Sequence, residues 1–204
     1  MLDRAAIELL RPGLVRAARV LAGLGLRADQ VTLAGFAIGM AGATAIALQH
    51  PRVGLAALLL SRLCDGLDGA LARLSAPTDR GAFLDISLDF VFYASIPLAF
   101  ALADPAANAL AAAVLLGAFV GTTSTFLAFA VVAAQRGLKS SAFPSKGIYY
   151  LGGLTEATET LTCFALMCLW PQHFARFALI FAALCALTTL TRLAAGWSVF
   201  TQPR

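Results

Sequence analysis

Four aspartates interrupt an otherwise apolar part of the sequence and are the residues best suited to chemistry. Asp65 and Asp68 are three positions apart, and Asp85 and Asp89 are four positions apart. With 3.6 residues per helical turn, each pair lies on one face of a helix. An ionised aspartate at the centre of a bilayer costs about 2.5–3.5 kcal/mol on insertion scales, so four of them require compensation by cations, water or function.

A short connection between two helices would bring both acidic faces together. Four converging carboxylates repel one another strongly unless divalent cations lie between them, and ligation by oxygen alone suits Mg²⁺ or Mn²⁺. A pair of such ions can bind a pyrophosphate, polarise its phosphorus and stabilise the leaving phosphate. An aspartate not fully occupied by metal can act as a base. The acids therefore predict a two-metal site for phosphoryl-type transfer.

Small residues and an arginine accompany the acids. Bare backbone would let a bulky nucleotide approach closely, and Arg73 can reach a diphosphate. The small residues are Gly66, Gly69, Ala72 and Gly81. A simpler alternative is that the glycines only permit close helix packing and that the acids pair with nearby arginines. These arginines are Arg62, Arg73 and Arg80, and three of them cannot neutralise five acids once Asp79 is counted.

The acids, the small residues and the arginine form one pattern, Asp65-x2-Asp68-Gly69-x2-Ala72-Arg73-x7-Gly81-x3-Asp85-x3-Asp89. This pattern closely resembles the signature of the CDP-alcohol phosphatidyltransferase family. The seven residues from Leu74 to Arg80 are one fewer than the family pattern usually has between its arginine and its second glycine. That gap contains Pro77, so we expect a loop that absorbs the difference.

The resemblance implies a role for each residue of the pattern. The four aspartates would bind two divalent cations, Mg²⁺ or Mn²⁺, and Asp89 would also deprotonate the acceptor hydroxyl. The donor site is implied to comprise Asp68, Gly69, Ala72, Arg73 and Gly81, with the glycines and the alanine at the cytidine nucleotide and the arginine at its diphosphate. Family members move a phosphatidyl or related group from a CDP-linked donor, often CDP-diacylglycerol, to an alcohol and release CMP. Many of them are homodimers.

Six apolar stretches must position these acids. The chain of 204 residues is 60% hydrophobic and 13% charged, with a mean hydropathy of +0.82. A spanning helix needs about 20 mostly apolar residues. Stretches near that length occupy 31–49, 53–75, 81–103, 108–135, 149–170 and 174–198. We expect an all-α integral membrane protein with six transmembrane helices in one domain over 1–204, the bundle covering about 31–198.

Basic residues predict the orientation of this bundle. Eleven lysines and arginines lie in the N-terminal segment, in the loops near 74–81 and 136–148, and at the C-terminus, against two on the other side. The asymmetry places both termini and the active site in the cytoplasm, and we expect a bacterial inner membrane. Residues 1–29 alternate basic and apolar side chains like an amphipathic interfacial helix. The net charge of +4 is explained by anionic headgroups, without a nucleic-acid partner.

Polar residues outside the pattern are candidates for binding the acceptor. Glu156 and Glu159 lie one helical turn apart, and they either bind the acceptor or pair with Arg192. The basic loop that contains Lys146 either binds a phosphorylated acceptor or contacts the lipid surface. At the start of the first span, Asp29 is a candidate N-cap. The acceptor alcohol itself stays open.

Two other classes of protein compete with the transferase interpretation. A transporter of divalent cations, or one coupled to protons, could use the aspartates to line a permeation path. Transporters often show repeated halves and broken helices, and this sequence shows neither. The second rival is a structural membrane protein without activity, which would usually have lost one of the four acids.

Overall fold

The computed structural model describes residues 2–138 and 153–201, with side chains from residue 11 onward. The described residues form helices and no β-strand. The helices are α1 (Leu2–Gly23), α2 (Ala28–Ala47), α3 (Pro51–Ser75), α4 (Asp79–Ala103), α5 (Pro105–Gln135), α6 (Ala157–Leu169) and α7 (Phe174–Phe200), with a 3-10 turn at Pro171–His173. The predicted all-α class is therefore confirmed for the part of the chain that is described.

Within the described residues, four segments are long and apolar enough to cross a bilayer, namely α2, α4, α5 and the 3-10 turn together with α7. Helix α3 is as long as α4, with 25 residues, but it carries Arg62 and the first pair of aspartates. Prolines mark two of the helix starts, because Pro51 and Pro105 occupy the first turns of α3 and α5. Helix α1 forms where an amphipathic helix is predicted.

The predicted fifth span starts too early in the sequence. Residues 149–152 lie outside the described part, and 153–156 are not helical, so α6 has only 13 residues. The helix starts late because Glu156 and Glu159 form a reciprocal capping box. The Glu156 side chain accepts a hydrogen bond from the Glu159 backbone N–H, and the Glu159 side chain accepts one from the Glu156 backbone N–H. At 1.5 Å per residue, α6 is about 20 Å long, which is shorter than the hydrocarbon core of a bilayer.

The predicted N-cap at Asp29 is also wrong. Helix α2 begins at Ala28, and its N-cap is Arg27, whose backbone N–H donates to Gln30 Oε1 at 2.9 Å. Asp29 therefore lies inside the first turn, where a negative charge favours the helix dipole. Its carboxylate does not cap α2 and instead forms an ion pair with Arg80 of α4.

Helix α2 packs on α3 and α4 through a row of glycines. A Cβ atom at Gly35 would lie 2.7 Å from Cys64 Cβ, and one at Gly39 would lie 2.6 Å from the Phe92 ring. Gly42 is similarly close to Ala57 of α3. Small residues are the common means by which membrane helices bring their backbones together. The α3–α4 hairpin is thus held against α2 with no room for side chains at these positions.

Two apolar clusters support the bundle. The larger one joins α2–α7 and includes Phe92, Phe100, Leu115, Phe164 and Phe174, with the Phe100 and Phe174 rings stacked at 4.6 Å. The smaller one joins α1 to α2 and α3 around Ala18, Val31, Ala70 and Leu71. The α4 members of the larger cluster, Phe92, Ile96, Ala99 and Phe100, all follow Asp85 and Asp89 along that helix. Packing energy and charge are thus concentrated in different parts of the bundle.

The glycine row gives a direct test of this packing. We expect Gly39→Ala to destabilise the protein by about 1–3 kcal/mol, because its methyl group would overlap the buried Phe92 ring and the Ser61 hydroxyl. The matched control is Gly117→Ala, since no other described residue lies within 4 Å of the added Cβ there, apart from the backbone of its own helix. Thermal unfolding in detergent should fall by about 2–10 °C for the first variant and stay level or rise for the second. Equal melting temperatures would contradict the packing.

Candidate active site

A three-residue turn brings the two pairs of aspartates together. Helix α3 ends at Ser75 and α4 begins at Asp79, so the predicted loop around Pro77 is confirmed. Within this turn Ala76 adopts a φ of 74°. A positive φ is unfavourable for a residue with a side chain. Thr78 then caps α4 by accepting a hydrogen bond from the Gly81 N–H at 3.0 Å. The two acidic faces consequently face each other across one hairpin.

Three of the four carboxylates form a cluster with the properties of a cation site. Asp65, Asp68 and Asp85 each present an oxygen within 4.8 Å of the others. Asp68 is only 5% exposed, and its Oδ2 atom has no hydrogen-bond partner in the described part of the chain. A buried carboxylate oxygen without a partner is costly unless a cation compensates it. The all-oxygen donor set and this unsatisfied atom fit a hard divalent cation.

The fourth carboxylate, Asp89, lies in the same cavity but contacts an arginine. Arg62 Nη1 donates to Asp89 Oδ1 at 2.5 Å and lies 3.6 Å from Asp65 Oδ1. The alternative in which the acids pair with arginines therefore holds for Arg62. Arg80 instead pairs with Asp29 of α2. Arg73 is exposed and extends beside Gly69, one turn earlier on the same helix.

Two adjoining cavities surround these acids. The first has a volume of about 10 Å³, and its walls include all four aspartates together with Thr32, Ser61 and Arg62. The second, of about 310 Å³, lies between the start of α2 and the α3–α4 turn, and its walls include Asp68, Gly69, Ala72, Gly81 and Asp85. Asp68 and Asp85 therefore belong to both cavities. A ligand in the larger cavity would contact carboxylates of the smaller one.

The small residues of the sequence pattern have different surroundings. Among the described residues, and apart from the backbone of its own helix, a Cβ at Gly69 would meet only the flexible end of Arg73 within 4 Å, so this backbone is open to a ligand. Gly66 faces the other way, and a Cβ there would lie 3.1 Å from Leu14 of α1. The prediction that Gly66 leaves room for a nucleotide is therefore wrong. Its small size serves the packing of α1 on the acidic segment of α3.

Several residues of the site were not predicted from the sequence. Arg27, Asp29, Thr32 and Arg80 line the larger cavity, and Arg73 is not among its lining residues. Asp29 and Arg80 are 51 positions apart in the sequence. The one feature that could have predicted their ion pair is that they carry opposite charges near the starts of α2 and α4. Nothing in the local sequence indicates that these two helix starts are neighbours. Only the close packing of α2 on α4 brings them together.

The candidate acceptor residues form a second polar region on α5–α7. Arg192 is 8% exposed and donates to the Thr122 carbonyl at 3.1 Å. Gly153 packs beside the Arg192 guanidinium, and its N–H donates to Glu156 Oε1 at 3.2 Å. The Glu159 carboxylate accepts the Glu156 N–H at 3.1 Å. Arg192 and Glu156 are thus brought into one region around Gly153, whereas Lys146 lies outside the described residues.

The fold and the site together define an all-helical protein with membrane-length apolar helices and a carboxylate centre suited to divalent cations. The sequence profile of the CDP-alcohol phosphatidyltransferase family matches residues 26–199, and the chain belongs to this family. It is accordingly a transferase of phospholipid biosynthesis. The resemblance noted in the aspartate pattern is confirmed.

Relatives and solved structures agree with this assignment. The chain is 52% identical over 197 residues to the inner membrane protein YnjF of Escherichia coli (strain K12), covering 97% of this chain and 96% of the relative. It is 34% identical over 103 residues to the archaetidylinositol phosphate synthase of Pyrococcus horikoshii, covering 50% of this chain and 54% of the relative.

Among solved structures, the Mycobacterium tuberculosis phosphatidylinositol phosphate synthase PgsA1 shares the fold. The structure with CDP-DAG bound has a TM-score of 0.73 at 21% identity, covering 94% of this chain and 98% of that one. The structure in complex with manganese and citrate has a TM-score of 0.73 at 22% identity, with coverages of 94% and 93%. At this identity the likeness establishes the fold alone.

The unsatisfied oxygen of Asp68 gives a test of the cation site. We expect Asp68→Asn to weaken Mn²⁺ binding by more than about tenfold, because it removes a charged ligand. In EDTA the same variant should melt no lower than the wild type, because the substitution removes a buried charge whose Oδ2 atom has no hydrogen-bond partner among the described residues. Mn²⁺ at a hundredfold excess over its Kd should stabilise the wild type by about 2.7 kcal/mol. Thermal unfolding and electron paramagnetic resonance of free Mn²⁺ measure both effects.

The matched control is Asp104→Asn, which makes the same chemical change at the cap of α5. Asp104 accepts the Ala107 N–H, and asparagine caps helices about as well as aspartate. This variant should bind Mn²⁺ as the wild type does. Unchanged Mn²⁺ affinity in Asp68→Asn would exclude the three-carboxylate cluster as the cation site.

Proposed function

We propose that this protein transfers a phosphatidyl-type group from a CDP-linked lipid, with CDP-diacylglycerol as the first candidate, to an alcohol acceptor and releases CMP. The observation that carries the proposal is that the carboxylate cluster and the 310 Å³ cavity share Asp68 and Asp85. A donor with its nucleotide in that cavity would present its diphosphate to the acids. Family membership and the shared fold of PgsA1, solved with CDP-DAG bound, support this donor.

Each residue of the pattern has a chemical task in this reaction. Two divalent cations, Mg²⁺ or Mn²⁺, held by the four aspartates would supply the positive charge that a reacting diphosphate requires. The open backbone of Gly69 allows the nucleotide to lie close to the helix, and Ala72 and Gly81 line the same cavity. Arg73, one turn beyond Gly69, donates hydrogen bonds to the diphosphate from the exposed end of α3.

The bond changes follow from this arrangement. The acceptor oxygen forms a bond to the phosphorus on the lipid side of the diphosphate, and the bond from that phosphorus to the CMP oxygen breaks. The proton of the acceptor hydroxyl passes to Asp89, which acts as the general base. CMP leaves with the electron pair of the broken bond. Asp89 suits this task because it lines the same cavity but is not one of the three acids whose oxygens lie within 4.8 Å of one another.

The acceptor site is proposed on the second polar region. Arg192 and Lys146 would bind an anionic group of the acceptor, with Glu156 and Glu159 beside it. Both glutamates already accept backbone hydrogen bonds at the start of α6, so the main contribution is assigned to Arg192. The relatives named as inositol phosphate-type synthases favour a phosphorylated acceptor for the first screen.

The membrane arrangement proposed is one domain over 1–204 with six spans in the inner membrane, assembled as a homodimer. Helix α3 and the region of α6 would complete the set of spans, because α3 packs on α2 and α6 packs on α3 and α7. Helix α1 would lie on the cytoplasmic face in contact with membrane lipids. The inner-membrane name of YnjF supports this location. The charge asymmetry of the sequence supports an orientation with the active site and both termini in the cytoplasm.

Release of CMP tests the proposal directly. Purified full-length protein with Mg²⁺ or Mn²⁺ should release CMP from CDP-diacylglycerol when the right acceptor is present, and radiolabelled acceptors are screened to find it. EDTA should stop the release of CMP. Asp89→Asn should lower the rate by at least about a hundredfold, since a general base contributes roughly 10²–10⁴. Asp79→Asn is the control, because this exposed acid lies on the same helix outside both cavities.

The same preparation distinguishes the transporter alternative. Liposomes that contain the protein and a fluorescent indicator of divalent cations should show no flux above empty liposomes. Cation flux without release of CMP from any acceptor mixture would overturn the transferase proposal in favour of transport.

A further inference from the structure

Arg62 places a fixed positive charge inside the acidic site. Its side chain is 12% exposed, and its Nη1 atom lies 2.5 Å from Asp89 Oδ1 and 3.6 Å from Asp65 Oδ1. A buried guanidinium is stable only when carboxylates compensate it. The aspartate pattern of the sequence does not include Arg62, and the proposed reaction assigns it no task.

The position of Arg62 is fixed by packed side chains. Its guanidinium carbon lies 4.2 Å from the centre of the Phe92 ring and 5.5 Å from that of Tyr93. Its Nη2 atom lies 3.5 Å from Ser61 Oγ. Phe92 and Ser61 are fully buried and are themselves held by the close approach of Gly39. The cation therefore stands on a rigid wall of the cavity and is not a freely moving surface charge.

This fixed charge makes the four carboxylates unequal. Asp65, Asp68 and Asp85 cluster within 4.8 Å, and of these the Asp65 carboxylate is the one near Arg62, at 3.6 Å. Asp89 has one carboxylate oxygen in direct contact with the guanidinium. A divalent cation among the first three acids gains the attraction of all of them. A cation beside Asp89 must share that carboxylate with Arg62 and is repelled by it at close range.

We propose that Arg62 is a positioning residue that makes the two cation sites unequal, one strong and one weak. The strong site is formed by Asp65, Asp68 and Asp85. The weak site, beside Asp89, fills when a diphosphate brings additional negative charge. Arg62 also holds the Asp89 carboxylate in place for the acceptor hydroxyl. The inference rests on the proposed function for the identity of the diphosphate ligand, but the inequality itself is a property of the chain and is measurable without any substrate.

The test is a Mn²⁺ titration of purified full-length protein in detergent, followed by electron paramagnetic resonance of free Mn²⁺. Without nucleotide, the wild type should bind one ion per chain tightly and a second at least tenfold more weakly. Arg62→Met keeps an unbranched apolar stem and removes the guanidinium and its charge. In this variant the two affinities should lie within about threefold of each other. Arg62→Lys keeps the charge and should restore the inequality.

A remote arginine on the same helix provides the matched control. Arg52→Met makes the same change of charge at the opposite end of α3 and should leave both affinities as in the wild type. Size-exclusion chromatography establishes that each variant is folded. A wild type that binds two ions equally, or an Arg62→Met variant that keeps the inequality, would overturn the proposal.

A second measurement uses the wild type alone and does not depend on the folding of any variant. Addition of CDP should strengthen the weak site at least tenfold and change the strong site less. Absence of this effect would contradict the proposal even if Arg62→Met failed to fold. Loss of all Mn²⁺ binding in the wild type would instead contradict the metal-dependent function, so the two failures are distinguishable.

Discussion

Concentrated negative charge is the constraint to which the rest of this structure responds. Four carboxylates converge on one hairpin, and the most buried of them, Asp68, has an oxygen without a hydrogen-bond partner in the described residues. Such a group destabilises a fold unless cations compensate it and packing elsewhere supplies the stability. The chain meets both requirements. Arg62 provides a fixed positive charge beside the acids. The larger apolar cluster supplies packing, and its members on α4 all follow Asp89 along that helix.

The glycine row of α2 connects these two requirements. Gly39 approaches the Phe92 ring and the Ser61 hydroxyl, and both of these contact Arg62. Gly35 approaches Cys64, the residue before Asp65. Helix α2 thus sets the distance between α3 and α4 and, through Phe92, the position of the guanidinium. The absence of side chains on one helix determines where a charge lies on the next.

The sequence predicted those features that depend on helix periodicity and on proline. The shared faces of Asp65 with Asp68 and of Asp85 with Asp89 follow from 3.6 residues per turn, and Pro77 correctly marked the loop between them. Tertiary packing decided the features that were missed. Gly66 faces α1 because α1 docks on that side of α3, which no local pattern indicates. The late start of α6 depends on a capping box, and hydropathy does not register hydrogen bonds made by glutamate side chains.

The two polar regions of the bundle are built by different means, and this has a consequence for substrate choice. In the region around the aspartates, glycines bring the backbone of α2 close to both α3 and α4, so a bulkier residue at these glycines would displace the helices that carry the carboxylates. The region around Arg192 depends on single side chains that join separate elements, such as the Thr155 hydroxyl on Thr188 at 2.9 Å. Replacing one of those side chains would alter the proposed acceptor surface without moving the acidic hairpin. A fold of this kind can therefore keep one reaction fixed while the receiving molecule changes, because rigidity and variability reside on different helices.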